Sequence, residues 1–540
     1  MINIIFFIAL ILASDFLLTR KRIIKKISLI IILIFSLVFI SLKPYLHFST
    51  NFNSLRNNLG KSLSTEHAVI YYSNKIKDEI KIKLIGIMHD YFYEQIKDEL
   101  KLKSKQKIVS FIFYDEEEKK KLFGSAKADV AKPWLRQIYV DYNSYTHTLK
   151  HEIAHALSSE FGTTIFMVNK NFNPAVIEGI AMAIENNFDD YPIHYPAKIA
   201  YESGIKVQMK KLFSGFNFFT NYSSISYVFA GSFIRFLIDN YGIEKVKQFY
   251  RTSDFNTSFK KRIDELENEY FKFLDGLKIK KNFDKAHLYF GGKSIFKKIC
   301  PRTAASETKR AINYYKNSKY FESEKLFRKV YDYAETYESL SGLIHSLIKQ
   351  NKNLEAEEFL AKEIKKFMKS SYYYNLELTL SDVYVINNKV ESAEKLLDSL
   401  IIQNPHIEFV NQALIRKMIL KNGVDELKLF LKMNTDDKIN YLMELNQKDI
   451  HYITVPYILE LSKKNDNKLK SLVEFFKTKI NVYDFSSCYA VYKLSQAAIM
   501  IGDCQIAKEL AVKTLSYKND EFFYETLINN LKFINWVNNL

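Results

Sequence analysis

The sequence predicts an α+β protein in three parts: N-terminal transmembrane helices, a mixed module of strands and helices, and a C-terminal domain of paired helices. Three observations predict this fold class. Two apolar runs flank a basic cluster near the N-terminus, strand-like segments are confined to the region before residue 143, and helical spacing of apolar residues dominates the rest. Only 15 Gly and 8 Pro occur in 540 residues, which disfavours an all-β fold because such folds need many turns.

Residues 1–48 predict a membrane hairpin. Apolar runs cover Ile2–Leu18 and Ile27–Leu42, and five cations lie between them in Arg20–Lys26. Because cytoplasmic loops are rich in Lys and Arg, this loop is predicted inside and the chain after Phe48 outside. A single anchor at Ile27–Leu42 is the alternative, since each run is slightly shorter than the ~20 residues that cross a bilayer. Both topologies predict a lipid bilayer as partner and an extracytoplasmic location at the cell membrane.

The rest of the chain divides into a linker at 49–65, a mixed module at 66–285, a junction at 286–305 and a helical domain at 306–540. Within the module, alternation and apolar spacing predict a strand, a helix and two further strands. These four elements are Ala68–Tyr72, Ile76–Leu102, Lys107–Tyr114 and Gln137–Tyr142. After them, strand signals nearly vanish.

The helical domain shows a weak repeat. The segment Asn388–Leu397 has the pattern of the second helix of a tetratricopeptide unit. The small residues Ser323, Ala356 and Ala393 recur near the 34-residue period of such units, where small side chains let two helices approach closely. We therefore predict a tetratricopeptide-like array that offers a surface to a protein partner. An irregular helical array is the alternative.

Charge and cysteine content exclude several classes of protein. The net charge of +17 arises from Lys residues spread along the whole chain, so no nucleic-acid binding is predicted. Three Cys are too few for a disulfide scaffold. A disulfide between Cys488 and Cys504 is compatible with an extracytoplasmic location.

A metal-binding motif lies at His151, Glu152 and His155, in the order His-Glu-x-x-His. Residues four apart share one face of a helix, so the two imidazoles can converge on one zinc ion. Glu152 can reach a zinc-bound water as general base. The flanking residues are apolar, and buried imidazoles need the partners that a metal supplies. His147 shares the face but lies ~12 Å from His155 along the axis, so it is predicted to be a residue at the edge of the cleft or a capping residue, not a ligand.

A third protein ligand is predicted on a second helix. Asn173 is a good N-cap and Pro174 suits the first helical position, so a helix begins there. Glu178 follows in an apolar setting, and Glu185, seven residues later on the same face, is the competing candidate. The small Gly179 is predicted to let this helix pack closely on the first. Three protein ligands leave one coordination position open for water.

The motif His-Glu-x-x-His, followed 23 residues later by Glu-Gly-x-Ala, resembles the gluzincin branch of zinc metallopeptidases, the thermolysin-like or peptidase MA type. The resemblance covers about residues 68–274 and implies a thermolysin-like module. It implies zinc bound by His151, His155 and Glu178, and an oxyanion-stabilising role for Tyr227. The Gly-Ala-Met-Glu-Asn signature of the aminopeptidases in this branch is absent.

The function implied is that of a membrane-anchored, extracytoplasmic zinc peptidase that hydrolyses peptide bonds of proteins or peptides. Glu152 takes the proton of the zinc-bound water and later delivers it to the leaving amine. The resemblance also implies that Gln137–Tyr142 is a bare edge strand that holds the substrate by β-addition. The alternative is a non-catalytic tetratricopeptide scaffold with an inactive peptidase module, and the presence of Glu152 favours the enzyme.

Overall fold

The computed structural model describes residues 51–292 and 301–539. The structure is 68% helical, and its one five-stranded sheet uses only residues between Gly60 and Asp141. The predicted α+β fold class is therefore wrong: the described chain is predominantly helical, with a small sheet. The physical reason is that apolar residues at helical spacing, not alternating ones, govern nearly all of the chain after Asp141. Nothing in the arrangement identifies a thermolysin-like module.

The transmembrane part of the predicted fold class also finds no support. Across the two described ranges, no helix is both long enough and apolar enough to cross a bilayer. The apolar runs Ile2–Leu18 and Ile27–Leu42 themselves lie outside the described residues. The bilayer as partner and the extracytoplasmic location therefore rest on sequence alone and stay predictions.

The sheet has five strands in the spatial order β1-β2-β3-β5-β4. The three central strands are parallel to one another, and each outer strand is antiparallel to its neighbour. The strands are β1 (Gly60–Ser64), β2 (Ala68–Ser73), β3 (Ile108–Phe113), β4 (Val130–Lys132) and β5 (Gln137–Asp141). The three predicted strands correspond to β2, β3 and β5.

Two sheet features differ from prediction. The strand at Gln137–Asp141 lies between β3 and β4, so it is not the bare edge strand that the resemblance implied. Within the segment 49–65, predicted as a linker, the described residues from 51 onward include helix α1 (Phe52–Leu59) and β1. The helix is capped by the Asn51 side chain and ends at Gly60, whose φ of 81° suits glycine. The missed strands β1 and β4 are short and carry no clear apolar alternation, so their pairing is decided by the strands beside them.

Most helices of the first half pack around the sheet and around one another. The long α2 contacts β2 and α4, and α5 packs most closely on α8. These helices are α2 (Glu79–Glu99), α3 (Glu116–Phe123), α4 (Tyr145–Ser158), α5 (Pro174–Glu185), α6 (His194–Glu202), α7 (Met209–Leu212), α8 (Ser223–Tyr241), α9 (Ile243–Thr252), α10 (Phe255–Phe259), α11 (Ile263–Gly276) and α12 (Phe283–Phe290).

The second half is a succession of helices in which most consecutive members pack together. They are α13 (Pro301–Lys316), α14 (Tyr320–Ala334), α15 (Tyr337–Lys349), α16 (Asn353–Glu363), α17 (Tyr373–Ile386), α18 (Val390–Gln403), α19 (Ile407–Leu420), α20 (Val424–Lys432), α21 (Thr435–Leu445), α22 (Thr454–Ser462), α23 (Asp466–Phe476), α24 (Phe485–Met500), α25 (Cys504–Thr514) and α26 (Glu521–Asn538).

A repeat is visible in this half. Ser323, Ala356 and Ala393 lie near the starts of α14, α16 and α18 and are fully buried, as the spacing predicts. A glutamate follows directly after Ser323 and after Ala356, and in both cases an amide and a lysine side chain of the next unit donate hydrogen bonds to it. Gln350 and Lys352 bind Glu324, and Asn387 and Lys389 bind Glu357. These recurring contacts support a helical-repeat fold.

The two halves share one hydrophobic core. A single cluster of buried residues joins the region from Ala68 to Phe290 with the region from Val385 to Val537, whereas helices α13 to α17 also have a separate cluster of their own. Cys488 and Cys504 are free thiols, and the buried Cys488 Sγ lies 3.8 Å from the Thr514 carbonyl oxygen. The C-terminal helices therefore pack against the rest of the protein without a disulfide between these two residues.

Candidate metal centre

Helix α4 is fixed to the sheet by a buried carboxylate. Asp129 accepts hydrogen bonds from the backbone N–H of Asp141 at 3.0 Å and from the hydroxyls of Ser144 and Thr148, each at 2.6 Å. It also pairs with Lys119, and both side chains are almost completely buried. These contacts hold the first turns of α4 against the end of β5, which determines where the following turns present their side chains.

Helix α5 is positioned by a cap and a close helix crossing. The Asn173 side chain accepts a hydrogen bond from the Ala175 N–H and donates one to the Phe213 carbonyl. A Cβ at Gly179 would lie 3.1 Å from the carbonyl oxygen of Ala230, and one at Gly231 would lie 2.5 Å from Met182. Gly179 thus permits close packing on α8, not on α4 as predicted.

His151, His155 and Glu178 meet at one point. The Nε2 atoms of the two histidines are 3.1 Å apart, and Glu178 Oε2 lies 3.3 Å from His151 Nε2 and 3.2 Å from His155 Nε2. Among the described residues, these three form the group of His, Cys, Asp and Glu side chains whose donor atoms lie close enough to share a metal ion. The three ligands predicted from the sequence are therefore the three that the fold brings together.

This triangle suits a metal better than a set of hydrogen bonds. Each Nε2 carries at most one proton, so the three contacts cannot all be well-directed hydrogen bonds. In a tetrahedral zinc site with ligands at 2.0–2.1 Å, the ligand atoms are about 3.3–3.4 Å apart. The observed separations of 3.1 to 3.3 Å are close to that edge length. The three atoms can thus occupy three corners of a tetrahedron and leave the fourth for water.

Glu185 contacts the opposite nitrogen of the same ring. Its Oε2 lies 3.1 Å from Nδ1 of His151, so it is not placed as the alternative third ligand. A carboxylate at this position orients the imidazole and makes Nε2 a better ligand. Lys150 donates a hydrogen bond to the Glu185 carbonyl at 3.2 Å, and exposed His147 lines a cavity of about 1560 Å³ that Glu185 also borders. His147 thus borders this cavity, whose lining does not include His151, His155 or Glu178, and its predicted place at the edge of the metal-site cleft stays a prediction.

The charges of the cluster shift its pKa values strongly. Burial lowers the pKa of His151, but the hydrogen-bonded carboxylates of Glu178 and Glu185 outweigh burial and place it well above its ordinary value. Burial raises the pKa of Glu178, but the neighbouring His155 and His151 lower it by more than burial raises it. The Glu178 carboxyl is therefore held ionised. A dication at the centre would replace the proton that the raised pKa of His151 retains, because metal binding releases protons from its ligands.

Glu152 and Tyr227 lie beside the cluster. Glu152 is only 6% exposed, and burial raises the pKa of its carboxyl against the opposing effect of the two histidines. The ring centroid of Tyr227 lies 6.5 Å from that of His151. Burial, together with the carboxylates of Glu178 and Glu152, raises the pKa of Tyr227, so its phenol keeps its proton at neutral pH. A poised base and a neutral hydroxyl donor thus flank the three ligand atoms.

The loop that follows Glu185 is held by the C-terminal helices. Asn186 Oδ1 accepts a hydrogen bond from the Ile193 N–H, which closes the loop. Within it, Asp190 binds Lys493 at 2.7 Å and the Tyr492 hydroxyl at 2.9 Å. Its carbonyl accepts a hydrogen bond from Thr526. Asp189 and Asp190 both have positive φ angles, of 54° and 64°. The loop therefore keeps an unfavourable backbone conformation that α24 and α26 stabilise.

We expect Lys493→Met to weaken zinc binding by roughly tenfold, because it releases the loop that fixes Glu185 and so loosens the orientation of His151. Zinc affinity measured by competition with a chelator checks this. Lys468→Met is the matched control, since Lys468 pairs at 2.8 Å with Asp436, whose side chain is 72% exposed, and neither residue contacts the loop at Asp190. Equal zinc affinity in folded wild-type and Lys493→Met protein would show that the loop does not orient the site.

Sequence reasoning missed this support. Lys493 is separated from Asp190 by 303 residues, and no local pattern marks either as part of a site. Asp129 lies in a short polar segment and is equally unmarked. Glu185 was recognised as a candidate ligand from its spacing, but only the fold shows which nitrogen of His151 it contacts.

No protein-family model matches the chain, and no curated protein matches it significantly. The chemistry of the site is therefore argued from its geometry.

Proposed function

We propose that this protein is a zinc-dependent peptidase with a gluzincin-like ligand set. The observation that carries the proposal is the convergence of His151 Nε2, His155 Nε2 and Glu178 Oε2 at 3.1 to 3.3 Å from one another, with Glu152 buried beside them. Two imidazoles and one carboxylate form a typical ligand set of catalytic zinc, which keeps a fourth position open. Structural zinc sites, in contrast, are usually closed by four protein ligands, often cysteines.

The chain's own groups can carry the proton transfers of peptide hydrolysis. When bound, zinc would polarise the scissile carbonyl and lower the pKa of a water. The Glu152 carboxylate accepts the proton of that water and returns it to the leaving nitrogen. The Tyr227 hydroxyl, which keeps its proton, donates a hydrogen bond to the oxyanion that develops on the carbonyl oxygen. Glu185 keeps His151 in the orientation that metal binding requires.

The substrate class we propose is a protein or peptide. The ligand set and the buried glutamate support it, because a water activated beside a general base suits attack on an amide carbonyl. The helical repeats remain the predicted surface for a protein partner, and the helices after α17 share a core with the first half, which contains the metal-binding helices.

We expect the full chain to hold about one zinc ion, and His151→Ala or Glu178→Gln to lose most of it, because two remaining ligands bind zinc weakly. Metal content measured on protein dialysed against a metal-buffered solution checks this. His345→Ala is the matched control, since His345 is an exposed histidine on α15 whose ring hydrogen-bonds to Ser341, four residues earlier on the same helix.

Zinc-free wild type under metal-replete conditions would contradict the proposed function. So would unchanged zinc content in both ligand variants, because it would place the metal elsewhere on the chain.

A further inference from the structure

A cluster of large apolar side chains is exposed on the loop 159–173, which joins the two metal-binding helices, and on the turn 133–135. We call it the apolar tip. Ile165 is 84% exposed, although an isoleucine normally lies inside. The ring of Phe166 contacts Trp134 at 5.0 Å and Phe172 at 5.8 Å between centroids. The exposed members of the tip are Trp134, Leu135, Ile165, Phe166, Met167 and Phe172.

The loop is rigidly built, so this exposure is not a consequence of disorder. The backbone N–H of Thr163 donates a hydrogen bond to the Val168 carbonyl at 3.0 Å, and the backbone N–H of Met167 donates one to the Thr164 carbonyl at 2.9 Å. Val168 and Asn169 are buried beneath the tip, and Asn169 accepts from the Asn173 N–H. Met167 and Phe172 have φ angles of 53° and 49°, which bulky residues rarely adopt. Such strain persists where the surrounding structure imposes it, and it often accompanies function.

Lysines border the apolar tip. Arg136, next to Leu135, donates a hydrogen bond at 3.1 Å to the Gln106 carbonyl and so joins the tip to the loop 101–107. Four exposed lysines lie in this loop: Lys101, Lys103, Lys105 and Lys107. Exposed Lys170 lies within the loop 159–173, whose one acidic residue, Glu160, pairs with Arg136 at 3.2 Å. Neither 101–107 nor 163–173 contains an Asp or Glu. The surface is therefore apolar at its centre and basic at its rim.

We propose that the apolar tip and its lysine rim dock on an anionic phospholipid bilayer. A protruding tip fits a deformable apolar phase, whereas a protein partner would need a pocket of matching shape. Trp and Phe favour the headgroup boundary, and lysines near an anionic surface add to the attraction. This peripheral contact is independent of the metal site and of residues 1–48. The alternative occupants of the tip are a peptide substrate and a second copy of the chain.

The chain offers a local probe of this contact, because it contains only two tryptophans, Trp134 and Trp536. Trp536 lies on α26 against Tyr91, with ring centroids 5.6 Å apart, and is not part of the apolar tip. In the full chain carrying Trp536→Phe, fluorescence reports Trp134 alone. We expect vesicles of phosphatidylcholine with 30% phosphatidylserine to shift its emission to the blue and brominated acyl chains to quench it. We expect 0.5 M salt to weaken both effects, since salt screens the lysines.

Two variants decide the origin of the signal. Ile165→Asp should weaken vesicle partitioning of the tip by about tenfold or more, because it places a charge where the proposed contact inserts an exposed apolar side chain into the bilayer. Ile402→Asp is the matched control, since Ile402 is 82% exposed on α18, and we expect it to behave as wild type. Thermal unfolding confirms that both variants are folded.

Three results would overturn the proposal. The first is that the protein binds vesicles but the emission of Trp134 stays that of a tryptophan in water, which would mean that another segment makes the contact. The Trp134 signal could respond equally to neutral and anionic vesicles. It could respond to peptide or to protein concentration but not to lipid, which would identify substrate or a second copy as the occupant. Because Glu152→Gln leaves the tip intact, we expect that variant to bind vesicles as wild type does, whatever the fate of the proposed peptidase function.

Discussion

Glu152→Gln should abolish most peptide hydrolysis while leaving zinc bound. The substitution keeps the size of the side chain but removes the carboxylate that accepts the proton of water, so we expect kcat/KM to fall by about 10²–10⁴-fold. Glu152 is not one of the three residues whose donor atoms converge, and its side chain is buried beside them. Zinc content should therefore stay near that of wild type, and the measurement is peptide cleavage on protein of confirmed zinc content.

The control for this experiment is Glu117→Gln, because the Glu117 side chain is 79% exposed on α3 and far from the cluster in sequence. Folding must be checked, since a buried amide replaces a buried carboxyl at residue 152. Glu152 is not the general base if the Glu152→Gln protein is folded, holds zinc and still cleaves peptides as well as wild type does. If wild type and Glu152→Gln both bind zinc but neither cleaves peptides, the result favours the interpretation as a non-catalytic scaffold. Disruption of the helical repeats is then the decisive experiment.

Asp129→Ala should destabilise the protein by about 3–5 kcal/mol, because it leaves the buried Lys119 ammonium without its counter-charge. It also removes the acceptor for the Asp141 N–H and for the hydroxyls of Ser144 and Thr148. The free energy of unfolding by urea measures this effect. Since these contacts tie α4 to the sheet, we also expect weaker zinc binding in whatever fraction remains folded.

Asp398→Ala is the matched control for that loss. Asp398 pairs with Lys417 on the surface, with about half of its side chain exposed, so its removal should cost ~1 kcal/mol or less. The double variant Lys119→Met with Asp129→Leu should recover part of the lost stability, since it leaves no unpaired buried charge. A loss below 1 kcal/mol for Asp129→Ala would show that the pair does not hold α4 to the sheet.

Local geometry explains what the sequence could predict. His151 and His155 share a helix face because they are four residues apart, and Asn173 and Pro174 mark the start of the next helix through interactions within one turn. The helices of the second half follow from the spacing of their apolar residues. The strands β2, β3 and β5 were predictable because each has a strongly apolar run bounded by polar residues.

Other features carry too little local signal. The strands β1 and β4 are polar or very short, so only pairing with a neighbour makes them strands. Because β4 gave no signal in the sequence, the strand at Gln137–Asp141 was predicted as the edge of the sheet, whereas β4 is the edge. The fold class was misjudged because a few clear strands at the beginning of a module suggest a larger share of sheet than the described chain contains.

The sequence by itself determined the identity of the zinc-ligand candidates and of the general-base candidate, because these depend on residue type and on spacing along single helices. Only the tertiary structure decided that Glu185 contacts Nδ1 of His151, that Lys493 supports the loop at Asp190, and that Trp134 meets Phe166 at an exposed surface. These contacts join residues 32 to 303 positions apart. Packing of a shared core brings them together, and that packing is a property of the whole chain and not of any local segment.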